Sequence, residues 1–322
     1  MPNPDWERRI LGGSCSSAPS HAWHVPLTHP PFGRRGIQIL LGLLWLLDSA
    51  LQSQPVMFIP EFTSDSMQIA AQGNPAVIAA PMFWAAGLVS RIPLLAGLGL
   101  VAVQLTLALG LFWRRTAVLA LAGSLVWSLL VWWLGEGFGG IFNGTAEPLM
   151  GFPGPIILYG LLALLAWPAC ARESRSVAED GPIGGLVARG LWLLLWASLA
   201  YFALTPTNRA PNALAAMAEG MAEGEPSWLA ALDHATAGAL TGNGLLVSTV
   251  FAVLATSIAV GIFLPIPARG TVLVAAIALA TVIWVIAQNF GAILTGQAAD
   301  PNTGPLLILL AFAYWPRPRR SR

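Results

Sequence analysis

Eight apolar runs limit what this chain can fold into: roughly residues 36–51, 92–112, 116–134, 155–169, 185–204, 245–264, 271–290 and 305–315. A helix needs about 20 apolar residues to cross ~30 Å of hydrocarbon, so the first, fourth and eighth runs span only with help from their flanks. The rest of the chain cannot offset this apolar content in water. Apolar residues make up 56% of the 322, and charged residues 10%, against about 25% in soluble domains. The pattern predicts an all-α integral membrane protein with eight transmembrane helices.

The charges that remain are informative. All sixteen cationic side chains are arginine. This excludes a Schiff-base lysine and the lysine of a phosphate-binding loop. A net charge of +1 gives no basis for nucleic-acid binding. With eight spans and both termini cytoplasmic, fourteen of the sixteen arginines fall on the inner side, leaving Arg91 and Arg209 outside. That bias sets the orientation by the positive-inside rule and predicts a multi-pass protein of the plasma membrane. Residues 1–35 read as a disordered cytoplasmic tail without a cleavable signal, 171–184 as a cytoplasmic linker, and 317–322 as a basic tail.

The chain also matches itself. Trp132, Phe138, Gly139, Ile141, Gly144 and Ala146 recur 152 residues later as Trp284, Phe290, Gly291, Ile293, Gly296 and Ala298. Gly154-Pro155 and Gly304-Pro305 open the fourth and eighth spans, and Trp167-Pro168 and Trp315-Pro316 close them. Upstream, Gly73, Pro75, Ala79, Ala80, Ala86 and Gly87 match Gly224, Pro226, Ala230, Ala231, Ala237 and Gly238. Residues 36–170 and 185–316 therefore read as two four-helix repeats. An even number of spans inserts both copies the same way, so the repeats are parallel, related by a pseudo-two-fold axis along the membrane normal. The long outer loops, near 53–91 and 205–244, are expected to form short interfacial helices.

A four-span unit with an extended first outer loop resembles the DoxX-like membrane proteins, here in tandem, which implies a redox-accessory role. Trp45-Leu46-Leu47-Asp48 together with Trp133-Leu134-Gly135-Glu136-Gly137-Phe138-Gly139-Gly140 also resembles a group of uncharacterised actinobacterial polytopic membrane proteins. That likeness implies no activity.

Few residues suggest chemistry. Asp48 is the one carboxylate well inside a predicted span, where charge costs ~2.5–3.5 kcal/mol; a solvated helix end is the other reading. Glu136 ends the third span in a glycine-rich run suited to a broken-helix solute site, or to an ordinary helix stop. Its counterpart is Gln288, followed by Asn289. Asp48, Glu136, Gln288 and Asn289 form the candidate polar site. Asp300-Pro301-Asn302-Thr303-Gly304 gathers oxygens that suit a hard cation but equally reads as a turn. Glu61 and Asp65, in the first outer loop, are acids available to an enzyme, and Asp233-His234 is an acid–base pair lacking a nucleophile. No histidine falls in a span and no Cys-x-x-Cys pair occurs, so bis-histidine haem and disulfide transfer are excluded. Cys15, His21, His24 and His29 sit in the polar tail. No catalytic residue, metal or cofactor is assigned. The fourteen tryptophans are expected as interfacial anchors.

The reading that asks least of the sequence is a non-catalytic scaffold or accessory subunit with the lipid bilayer and a membrane protein as partners. A small-solute or ion permease with its site between the repeats is the alternative. An enzyme acting on a lipid-soluble or extracytoplasmic substrate is a third.

Overall fold

The computed structural model describes residues 32–168 and 176–316. The N-terminal tail to residue 31, with Cys15, His21, His24 and His29, lies outside the described residues. So do Cys170, Arg172, Arg175, the tail from 317 and the side chain of Glu61. Among the described residues every regular element is helical.

The chain runs through α1 (Arg34–Gln52), the pair α2 (Pro60–Ala71) and α3 (Ala76–Arg91), α4 (Pro93–Phe112), α5 (Ala117–Leu134) and the short α6 (Pro155–Leu165). It continues as α7 (Gly184–Ala203), the pair α8 (Ala213–Met221) and α9 (Ser227–Leu240), α10 (Gly244–Gly261), α11 (Ile266–Val282) and the short α12 (Thr303–Ala313). A π-helical turn, Ile283–Ala287, extends α11. The same kinds of element follow in the same order from α1 to α6 and from α7 to α12. In the first series α1 packs on α4, α2 on α3 and α5 on α6; in the second, α7 packs on α10, α8 on α9 and α11 on α12. The two series meet mainly where α6 packs against α12.

Five helices are long and apolar enough to cross a bilayer: α4, α5, α7, α10, and α11 with its π turn. The chain is an all-α, membrane-embedded protein. The runs at 155–169 and 305–315 yield helices of eleven residues each, roughly 16 Å long, about half the hydrocarbon thickness. Proline at the first turn of α4 and α6 fits where the backbone N–H has no helical acceptor. The loops near 53–91 and 205–244 do form short helices, and these pair as helical hairpins, α2 with α3 and α8 with α9.

Several arginines are held by specific partners. Arg35 donates to the carbonyls of Leu111 (2.8 Å) and Phe112 (2.6 Å) at the end of α4. Arg34 donates to those of Leu165 (3.2 Å), Trp167 and Val177 (3.0 Å) beyond α6. Both satisfy carbonyls that a helix end leaves without partners. Glu179 in the linker accepts from Arg189 on α7 and from Arg269 on α11, the latter at 3.0 Å. The segment joining the two halves is thereby tied to the second.

The tryptophans divide into two groups. Trp84, Trp113 and Trp228 are exposed, as anchors should be, but Trp45, Trp192 and Trp196 are fully buried. Trp45 donates to Ser124 Oγ at 3.0 Å and Trp192 to the Ile258 carbonyl at 2.9 Å. These three build the core; interfacial anchoring does not account for them. A buried indole contributes a large apolar area, and its N–H usually finds a partner.

Candidate functional site

The site begins where α5 stops. Phe138 and Gly139 adopt left-handed backbone conformations, φ 57° and 64°, which turn the chain sharply. Trp132 Nε1 donates to the Pro153 carbonyl at 2.7 Å, and its ring meets Phe138 edge-on at 5.0 Å. The turn brings Glu136 over the start of α6, where its Oε1 accepts from the Ile156 N–H at 3.3 Å. The approach requires glycine at 154, which has φ 104° and no room for a Cβ beside Glu136 Oε2. That Oε2 is buried and has no hydrogen-bond partner.

The corresponding turn after α11 has closely similar geometry. Phe290 and Gly291 have φ 58° and 76°. Trp284 Nε1 donates to the Pro301 carbonyl at 2.9 Å, and its ring meets Phe290 edge-on at 5.3 Å. Gln288 Oε1 accepts from the Gly304 N–H at 3.3 Å while its Nε2 donates to Thr303 Oγ1 at 2.8 Å. Asn289 donates to Asp233 Oδ2 at 2.7 Å. Asp233 is buried in this contact, whereas His234 is exposed and faces Glu219 at 3.0 Å. The sequence neighbours Asp233 and His234 thus serve different surroundings.

Of the four candidate residues, Asp48 and Glu136 come together. They line one cavity of about 650 Å³, with Asp300 and Tyr159. Gln288 and Asn289 are buried elsewhere: both ends of the Gln288 amide are satisfied by the contacts above, whereas Asn289 Oδ1 is buried without a partner. Asp48 is 1% exposed, so it is an embedded acid and not a solvated helix end. Tyr159 Oη donates to its Oδ1 at 2.7 Å. Asp300 arrives from the second half on the turn before α12, where its Oδ1 accepts from the Asn302 N–H at 2.7 Å. The Asp300-Pro301-Asn302 run is therefore a turn, but one that delivers a carboxyl into the cavity of the other half. Asp65 is exposed and does not line this cavity.

Gln104 was not singled out in the sequence. It stands in the apolar run of α4, is 8% exposed and lines the same cavity. Its Oε1 is buried without a partner. A lone amide in a long apolar helix is the signal by which sequence reasoning would find it. Gln52 and Ser66 also line the cavity, and the rest of the wall is mainly apolar, with Met57, Leu100, Val103 and Leu134 among its members. Leu95 and Leu130 line the cavity yet are 66% and 45% exposed, so this wall continues onto the apolar flank of α4 and α5.

A second cavity of about 380 Å³ shares Glu136, Pro155 and Asp300 with the first and is otherwise more polar, with Asn143, Thr145, Glu147 and Asn302. Glu136 and Asp300 thus form a partition between an apolar chamber and a polar vestibule. Among the described residues no Arg or His lines either space. Burial pushes the Asp300 carboxyl up to about 6, against the opposing hydrogen bond from Asn302. Burial, and then the neighbouring Asp300 charge, raise Glu136 well above its ordinary range, while the Ile156 N–H acts the other way. Among the described residues no group of three His, Cys, Asp or Glu is arranged to hold a metal ion.

The second half carries a smaller cavity of about 240 Å³. Its lining residues Thr236, Val247, Leu254, Ile283 and Ile286 stand 151 or 152 positions after Ala85, Ala96, Val103, Val131 and Leu134 of the large cavity. None of its described lining residues is an acid, and the positions matching Asp48, Gln104 and Tyr159 are Leu199, Ala255 and Leu309, all buried. The loops exchange walls, because Leu149 lines the second-half cavity and Ala299 the first-half one. Gln54 donates to the Ala298 carbonyl at 3.1 Å and Asn208 to the Ala146 carbonyl at 2.8 Å.

Comparison with protein-family models, with curated proteins and with solved structures gave no match.

Proposed function

We propose that this protein binds a small, lipid-soluble amphiphile with a cationic head, which seats on Asp48, Glu136 and Asp300 while its hydrocarbon part lies between α4 and α5. The main support is three carboxyl groups and an unpartnered Gln104 amide oxygen in the wall of one largely apolar cavity, with no basic side chain among its described lining residues. Acids held close together out of water cannot all ionise without a counter-cation. An organic ammonium supplies that charge and also occupies the apolar wall. At about 650 Å³, the cavity falls within the ~300–1,000 Å³ usual for small-molecule sites. The exposed Leu95 and Leu130 suit entry from the bilayer. A scaffold requires none of these groups, and a groove free of trapped carboxylates would suit it better.

The reading includes an architecture: eight membrane passages in two parallel four-helix repeats, both ends cytoplasmic, with α6 and α12 as short passages at the pseudo-two-fold axis. The matched turns, the reciprocal Gln54 and Asn208 contacts and the equivalent cavities support it. The arginine bias supports an extracytoplasmic vestibule. In this arrangement the first repeat keeps the polar site and the second retains only its apolar shell.

The test is calorimetric titration of the full chain in zwitterionic nanodiscs with hexyltrimethylammonium, hexanol and hexanoate. Binding of the cation alone, lost in Asp48→Asn, is the expected result. Equal uptake of all three, or none, overturns the proposal.

A further inference from the structure

The partition between chamber and vestibule suggests how a cation would be exchanged there. Among the described residues, every titratable group facing Glu136 and Asp300 is an acid or a phenol. Asp48 faces them from α1, Tyr159 from α6, and Glu147 across the vestibule from the loop before α6. Helices α4 and α5 add no charged side chain to either lining, and the described side chains of the α2–α3 hairpin add none. Without a ligand, these acids have only protons to neutralise them in surroundings of low dielectric constant. A permanent cation seated among them removes that need. The proton it displaces has a short route out, because Glu136 and Asp300 border the polar vestibule as well as the chamber.

We propose that Glu136 and Asp300 form a cation–proton exchange site: an organic cation enters the chamber, one carboxyl at the partition ionises to pair with it, and the released proton passes to vestibule water. Charge balances, one positive charge entering and one leaving. The proposal rests on the cation-binding reading above and adds the stoichiometry of protons to it.

Hexyltrimethylammonium has no titratable proton, so any proton released on binding comes from the protein. Its binding enthalpy is measured between about pH 5 and pH 8 in pairs of buffers that titrate near each pH and differ in ionisation enthalpy, acetate and piperazine at the acidic end and phosphate and Tris at the alkaline end. The expected result is release of roughly one proton per cation near the acidic end, declining toward the alkaline end. In Glu136→Gln combined with Asp300→Asn the release disappears. Gln288 shows that an amide can cap a helix start as Glu136 does, and asparagine retains the Oδ1 that accepts from Asn302, so each single variant is also measured as a folded control. Cation binding with equal heats in both buffers at every pH overturns the exchange and leaves the binding site standing. Absence of cation binding overturns both.

Discussion

Glu136 caps the start of α6 through the Ile156 N–H at 3.3 Å, and Gln288 caps the start of α12 through the Gly304 N–H at the same distance. An acid and an amide thus do the same structural work at matched places, so the charge of Glu136 is surplus to capping. Glu136→Gln is expected to change thermal stability by no more than ~1 kcal/mol while reducing hexyltrimethylammonium affinity at least about tenfold, or 1.4 kcal/mol. Unfolding curves and calorimetry on the same preparation separate the two effects.

Gly154→Ala is expected to lower both stability and cation affinity. A Cβ there meets Glu136 Oε2, and φ 104° is strained for any side chain. A loss of roughly 1–3 kcal/mol follows from the backbone alone, read as a lower unfolding midpoint with or without ligand.

Gln104→Leu removes a buried amide oxygen that has no partner. Burying an unsatisfied polar group costs about 1–3 kcal/mol, so the ligand-free variant should be more stable than the parent. It should also bind the cation more weakly. A variant that is more stable and binds equally well would show that Gln104 has no part in the site.

Asp300 gives the fold a pH signature. Its carboxyl rises from an ordinary 3.8 to about 6, so the folded chain holds that proton more tightly than the unfolded chain does. The stabilising contribution is complete below the unfolded value, declines as pH rises through the interval up to about 6, and is lost above it. The difference in unfolding midpoint between the parent and Asp300→Asn should change across that interval and be flat beyond it. A protonated-carboxyl infrared band that vanishes near the same pH, and is missing in the variant, would identify the group.

Glu179→Ala removes the carboxylate that accepts from Arg269, whose side chain is 7% exposed, and from Arg189. Breaking a buried pair from one side costs about 3–5 kcal/mol. The expected result is an unfolding midpoint lowered by several degrees.

Much of the architecture was legible in the sequence because it depends on local composition. The runs at 92–112, 116–134, 185–204 and 245–264 reappear as α4, α5, α7 and α10, each apolar enough to span on its own residues. The turn at Glu136 was legible as a glycine-rich break after a tryptophan, since left-handed backbone favours glycine; the turn at Gln288, where Asn289, Phe290 and Ala292 take that conformation, was legible only by its match to the first. The π turn at the end of α11 was not, and neither was the internal use of Trp45, Trp192 and Trp196. Indoles at membrane interfaces and in cores have the same local sequence signature.

Hydropathy and the order of residues along the chain were enough to require a helical protein in a bilayer, because the cost of wetting so much apolar surface is a sum over local contributions. Which acids meet was settled only by packing. Asp48, Glu136 and Asp300 lie on three separate elements, and Asp300 belongs to the other half of the chain. Their shared environment arises because α6 and α12 pack together and each loop reaches across to the neighbouring cavity. Contacts between residues so far apart leave no period or spacing in the sequence from which to read them.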